Sequence, residues 1–477
     1  MMLETIREYG LECISRSEEN EIMRQTHASY YLRLSEQAES KLISIQQEKV
    51  SQVLEQEHDN LRAALHWFLE TRNTEQALRL CAALWMFWAP GHAREGYQYL
   101  EQALALNDTG TTPVQARTKV KACYGAAVLA RYQHNHVQAR IQAEESLRLA
   151  RALRDQRRIA MALNCLGHIA LETGDYTTLH VLCEEAVSLL REETDPWCLA
   201  EALHLAAYDA YFQGHYDRAR RLGEESVSLY REVGEPLTLI RALHTLGLFA
   251  YAQGSYTQAY EFYGKSLHIA KMSKRIHTSS VVATCLMGLG AIVAVQRQFH
   301  QAAILLGAAE ALYDAADGKT FAGMVDWLTT ILRTQLDYDQ IVKTVEAQLG
   351  ECTFTEAWNT GRSVTIEELL AASDPLPHIA LRPLIAPRAT EDQMGTVASS
   401  LVPLEALVGQ SSSSLSLTPR EYEVLQLLTQ GLTSAQIAKE LIITPLTVNS
   451  HVRSIYNKLG VTSRSAATRY AIEHQLA

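Results

Sequence analysis

Near the C-terminus of this 477-residue chain, Asn449, Ser450 and Arg453 are spaced to lie together on a helix. Arginine offers a planar fork of donors, and asparagine offers a donor beside an acceptor. These groups read guanine and adenine edges in the DNA major groove through paired hydrogen bonds. At about 100° per residue, Leu446, Ser450, Arg453 and Asn457 share one face, with Asn449 on its flank. The other face carries Val448, Val452, Ile455 and Leu459 at i, i+4, i+7 and i+11, a stripe that must bury.

Such a helix needs partners to hold it, and the sequence predicts two shorter ones before it. Thr418 is a helix N-cap, Pro419 sits at the first helical position and Glu421 completes a capping box. Leu417 and Tyr422 are placed as a hydrophobic staple. Gly431 stops that helix. Thr433 with Gln436 repeats the box, Leu432 with Ile437 repeats the staple, and Thr444 with Pro445 starts the third helix. Two short helices, a tight turn and a longer helix make a helix-turn-helix.

Residue by residue this tail resembles the C-terminal domain of LuxR-type regulators. The match runs through Leu417-Thr-x-Arg-Glu, Gly431-Leu, Ile437-Ala, Thr447-Val, His451, Ile455, Lys458-Leu and Arg464. The resemblance implies a four-helix domain in which Asn449, Ser450 and Arg453 face the bases. Thr433, Ser434, Thr447, His451 and Lys458 are candidates for phosphate contact, with caps or core hydroxyls as the alternative for Thr433 and Thr447. One departure is Asn449, where the family commonly has Lys. Glu421 and Arg464 are expected to pair within the domain. The last helix, Ser465 to His474, packs internally through Ala466, Ala467, Tyr470 and Ala471, and the resemblance implies a homodimer contact there as well.

The charge distribution agrees. Formal net charge is −11, yet Ser416 to Ala477 holds six Lys/Arg against four Asp/Glu, so a mildly basic tail hangs on an acidic body. Before the tail, residues 373–414 concentrate proline and end in Ser411 to Ser414, the composition of a flexible linker.

The middle of the chain repeats with a period of 40 residues. Ala162-Leu-Asn-Cys-Leu-Gly, Ala202-Leu-His-Leu-Ala-Ala and Ala242-Leu-His-Thr-Leu-Gly are each followed, at one offset, by Gly174-Asp-Tyr176, Gly214-His-Tyr216 and Gly254-Ser-Tyr256. Second helices then carry Glu184-Glu-Ala, Glu224-Glu-Ser and Gly264-Lys-Ser. Degenerate copies flank them, one with Ala139 and Glu144-Glu-Ser, the other with Gly290, Phe299 and Ala302. Each unit reads as a helical hairpin whose glycine enters the left-handed conformation, whose tyrosine wedges between the helices, and whose small residues Ala219, Ala259 and Ala302 allow close approach. Hairpins of this kind bury their faces only by stacking. The array resembles tetratricopeptide repeats, with a period longer than the usual ~34 residues.

The expected fold is therefore all-α: a tetratricopeptide-like superhelix joined by a flexible linker to a LuxR-type domain. The expected segments are 1–20, a winged-helix remnant; 21–115, lead-in repeats; 116–350, repeats; 351–372, a cap marked by Phe354, Trp358, Gly361 and Arg362, with a helix around 365–372; 373–414, the linker; and 415–477, the DNA-binding domain. The opening Leu3-Glu-Thr-Ile-Arg-Glu-Tyr resembles the last winged-helix element of STAND-type (NB-ARC) signalling ATPases that end in LuxR domains. That likeness implies a chain that begins where a nucleotide-binding half would have ended.

Other chemistry is not expected. Gly264-Lys265-Ser266 lacks the earlier glycine of a phosphate-binding loop, position 259 being Ala. The eight cysteines form no C-x-x-C pair, and scattered cysteines of this kind suit a reducing, cytoplasmic setting. His134 and His136 occupy a repeat turn and predict no metal. The longest apolar run, Val281 to Val295, is too short for a bilayer of roughly 30 Å. No cofactor, metal or enzymatic activity is expected. The partners expected are double-stranded promoter DNA, a second copy of the chain, and a ligand or protein on the repeats. Tyr132, His168, Tyr208, Tyr211 and Phe249 are placed to line a concave surface, with Tyr208, Tyr211 and Phe249 the candidates for a ligand face and packing as the alternative. The function expected is transcription regulation; the rival is a repeat scaffold that binds partners or antagonises a longer paralogue with little specific DNA binding.

Overall fold

The computed structural model describes residues 20–89, 91–106, 113–191, 195–272, 279–316, 333, 336–364 and 419–430, and isolated positions from 432 to 471. Every regular element among the described residues is helical. The chain divides into two units, residues 1–384 and 385–477. Residues 1–19, 365–372 and the expected linker lie outside the described residues.

In the first unit, α1 (Asn20–Glu39), a 3-10 turn (Ser40–Ile43), α2 (Gln47–Gln56), α3 (His58–Glu70), α4 (Thr74–Trp88) and α5 (Ala93–Ala105) form the lead-in. Five hairpins follow among the described residues. They are α6 (Pro113–Tyr132) with α7 (His136–Leu153), α8 (Gln156–Thr173) with α9 (Tyr176–Leu190), and α10 (Pro196–Phe212) with α11 (Tyr216–Val233). Then come α12 (Pro236–Ala252) with α13 (Tyr256–Met272), and α14 (Ser279–Val295) with α15 (Phe299–Ala316). The last helices described in the unit are α16 (Tyr338–Leu349) and α17 (Glu351–Ser363).

The 40-residue period is realised as expected. Gly174, Gly214 and Gly254 end their helices at φ of 76°, 77° and 72°. In the degenerate copies the same turn is made by His134 and Arg297, also left-handed at 57° and 60°, where a side chain makes that conformation costly. Asn135 and Asp175 then cap α7 and α9 by accepting from the backbone of Gln138 and Thr178. Tyr216 and Tyr256 lie against Tyr211 and Tyr251 within their own hairpins, whereas Tyr176 reaches Phe212 of the next. Ala219, Ala259 and Ala302 are fully buried. Serine adds a fastening that sequence inspection did not assign. Ser146, Ser226 and Ser266 each donate to a carbonyl 26 residues earlier, on the first helix of the hairpin.

The segment expected as a cap holds α17. A Cβ added at Gly361 would stand 2.0 Å from the Ile304 carbonyl oxygen, so the glycine sets how closely α17 approaches α15. Arg362 donates to Asp314 across the same contact at 2.9 Å. No helix among the described residues is long and apolar enough to cross a membrane.

Candidate functional site

In the second unit, α18 (Pro419–Thr429) begins at the proline the capping pattern selected. Val424, Leu425 and Leu428 bury one side of it against Ile437, Ile455 and Ala471, with Leu432, Val452 and Tyr470 packed around them. The second staple is thus half-buried Leu432 with buried Ile437. Of the first, Tyr422 is exposed and Leu417 lies outside the described residues. Two members of the predicted inward stripe, Val452 and Ile455, join this core. Val448 and Leu459 lie outside the described residues. So do the base-reading candidates Asn449, Ser450 and Arg453, the phosphate candidates Thr433, Ser434, Thr447, His451 and Lys458, and Arg464.

In the first unit, Tyr208, Tyr211 and Phe249 are brought together, but as core. They are 2%, 5% and 1% exposed. Tyr211 stacks on Phe249 at 4.6 Å, Tyr208 meets Phe249 edge-on at 5.5 Å, and the Tyr208 hydroxyl bonds Thr245. They offer no free face to a ligand, which corrects the candidate ligand face drawn from the sequence. Aromatics at repeat spacing were selected by packing.

A polar recess lies on the neighbouring first helices instead. It has a volume of about 80 Å³ and draws its wall from α2, α4, α6, α8, α10 and α12. Glu201 of α10 lines it. It accepts from Arg241 at 2.6 Å through both oxygens, from His168 at 2.5 Å, and from the Tyr230 hydroxyl. Burial alone would raise the Glu201 carboxyl, but Arg241 and His168 overcome it and hold it well below the usual range. Beside it Arg131, also buried, donates to Glu172 at 2.5 Å. Burial, reinforced by Arg131, pushes the His168 imidazole below its ordinary value, which keeps it neutral near pH 7. Glu235 accepts from the backbone of Leu237 and Thr238 and starts α12.

Aromatic and aliphatic groups complete the wall: Trp85, Tyr124, Val128 and Tyr132. Segment 44–47, which follows the 3-10 turn, reaches the same place. Ile45 lies 3.6 Å from a Cβ position at Gly234, and Gln47 lines the recess. Elsewhere among the described residues, Glu55, His58 and His92 bring potential ligand atoms within 4.8 Å of one another. Arg62, held by Glu95 and Asp59, lies beside His58.

Residues 415–471 match the family model of bacterial regulatory proteins, luxR family. Over 82 residues the chain is 39% identical to "Transcriptional regulatory protein MctR" of Rhizobium johnstonii, which covers 17% of this chain and 38% of that protein. The chain thus spans well under half of that relative's length. Among solved structures, BtubC from P. vanneervenii aligns with a TM-score of 0.39 at 17% identity, over 47% of this chain and 90% of that one. A Rap protein complexed with Competence and Sporulation Factor aligns with a TM-score of 0.43 at 13% identity, over 74% and 97%. Likenesses this distant carry no argument about the repeats.

Proposed function

We propose, from the LuxR-family helix-turn-helix domain at residues 415–471, that this chain is a DNA-binding transcription regulator whose repeats gate the tail in response to a ligand. The observation that carries the reading is the family match, which coincides with the buried core of Val424, Leu425, Leu428, Ile437 and Ile455. A helix that turns Val452 and Ile455 inward presents Ser450 and Arg453 on its far side, with Asn449 adjacent. In this reading Asn449, Ser450 and Arg453 meet base edges. Thr433, Ser434, Thr447, His451 and Lys458 meet phosphates, and the last helix around Ala471 joins two copies.

Arg453→Ala is expected to cost roughly 1–3 kcal/mol of binding and to relax choice at one base pair. Asn449→Lys restores a charge near the DNA and is expected to steepen the salt dependence. Binding of the full chain to duplex DNA, measured by fluorescence anisotropy across a salt series, checks both. A parent chain without measurable affinity, or variants indistinguishable from it, would reject the groove assignment.

A further inference from the structure

The recess contains three polar groups whose chemistry the protein leaves open. Arg131, Asn164 and Trp197 are 7%, 4% and 9% exposed, and all three line the cavity. Arg131 spends Nη1 on Glu172, and Asn164 spends its amide nitrogen on the Cys198 carbonyl at 3.1 Å. The Arg131 Nε, the Trp197 Nε1 and the Asn164 Oδ1 have no hydrogen-bond partner in the protein. A buried polar atom left so costs about 1–3 kcal/mol, so three at one place call for an occupant.

The charges limit what that occupant is. Arg131 is balanced by Glu172, and Arg241 by Glu201. Glu201 accepts from three side chains, and Glu235 is committed to the start of α12. Two guanidiniums, Arg131 and Arg241, face three carboxyls, Glu172, Glu201 and Glu235, so an anion entering alone would meet an excess of carboxyl groups, and a cation alone would leave the two open donors unmet. The open groups are two donors and one acceptor. A fitting molecule carries acceptor oxygens and a donor close together, has zero net charge, and has an apolar part to lie on Trp85, Tyr124 and Val128.

We propose that this recess binds a free α-amino acid with an apolar side chain. Its carboxylate accepts from Arg131 Nε and Trp197 Nε1, its ammonium donates to Asn164 Oδ1, and its zwitterionic charge sums to zero. The recess is small, about 80 Å³, so it takes the polar head of such a molecule, and the side chain enters only as the aromatic wall gives way. Because the wall is shared by six helices, α2 contributing Gln47, an occupant biases how those helices sit against one another. The proposal names the ligand class for the sensing role above and rests on that reading only for its regulatory consequence.

The test is a titration of the full chain with each of the twenty amino acids, read by calorimetry and by the shift of the unfolding midpoint. Leucic acid, as a hydroxy acid, and glucose serve as comparison probes. One amino acid or a few apolar ones are expected to bind and to raise the midpoint as their concentration rises. Trp197→Phe keeps the ring and removes the donor. Arg131→Lys keeps the charge opposite Glu172 and removes Nε. Each is expected to weaken binding about tenfold. If Arg131→Lys does not fold, Trp197→Phe alone decides. Binding of none of the twenty, which would leave water as the occupant, overturns the proposal. So does equal affinity in parent and Trp197→Phe, or preference for leucic acid or glucose. DNA binding is read in a separate assay, so failure of the regulator reading leaves this result intact, and the converse holds.

Discussion

Helices α10 and α14 occupy equivalent places in two hairpins of one design, yet they are filled differently. On α14, Val282, Cys285, Leu286, Met287, Leu289, Ile292 and Val293 are buried among apolar neighbours. Helix α10 buries Glu201, His204 and Asp209 as well. The same hairpin closes with either filling, so the fold does not require the charges. Buried ion pairs are a weak source of stability, and apolar replacements are often neutral or better. The charged wall at Arg131, Glu201 and Arg241 is therefore read as a site, and the apolar wall of α14 as support.

Breaking the charged wall is expected to give the largest effect. Arg241→Met leaves the Glu201 carboxylate buried without its cation and should cost about 3–5 kcal/mol. Adding Glu201→Gln should recover most of that loss, because a neutral side chain still bonds His168 and Tyr230. Thermal unfolding of the single and double variants checks the coupling. A double variant as unstable as the single one would mean that the pair is structural.

Acid should act on the same neighbourhood. His244 is fully buried, and desolvation pushes its imidazole down to about 4. The unfolded chain takes up this proton below about 6.5, while the folded chain resists until about 4. Stability is therefore full above pH 6.5 and falls as pH drops toward 4, by about 1.4 kcal/mol per pH unit from this group. His204 is shifted in the same direction, by burial and then Arg241, and adds to the loss. His244→Leu should flatten part of the unfolding midpoint's slope between pH 6.5 and 4. An unchanged slope would remove His244 from the cause.

On the apolar side, Gly288→Ala would set a Cβ 2.4 Å from the Tyr263 ring, itself fully buried. Overpacking of this kind costs about 1–3 kcal/mol, and chemical denaturation measures it. The smallest effects belong to the turns. Gly214→Ala should destabilise by about 1 kcal/mol, whereas His134→Gly, at the same place in a degenerate copy, should be neutral or stabilising. Equal responses would show that the two turns are not equivalent.

The hairpins were legible in the sequence because packing repeats itself. Gly174, Gly214 and Gly254 stand 40 residues apart, and the left-handed turn they make can be read from residue type alone. The tail was legible for the same reason: caps and an i, i+4, i+7 stripe are local signals, and Val452 and Ile455 are found in the core. Of the recess only Tyr132 and His168 were legible, as side chains on a concave surface, because most of its residues do not repeat. One register position holds Met161, then Glu201, then Arg241, and another holds Tyr124, Asn164, His204 and His244. The aromatics singled out as a ligand face, Tyr208, Tyr211 and Phe249, pack instead. The signal available was the opposite one, charges such as Glu201 and Arg241 that break an apolar pattern inside a first helix.

The central claim is that residues 415–471 read DNA sequence through one helix face, and selection from a pool of random duplex DNA tests it most directly. The account predicts that the full chain enriches one motif, with paired half-sites about one helical turn apart, and that Arg453→Ala enriches a motif relaxed at one base pair in each half-site. The claim is contradicted if the parent enriches no motif, or if Arg453→Ala enriches the parent's motif unchanged.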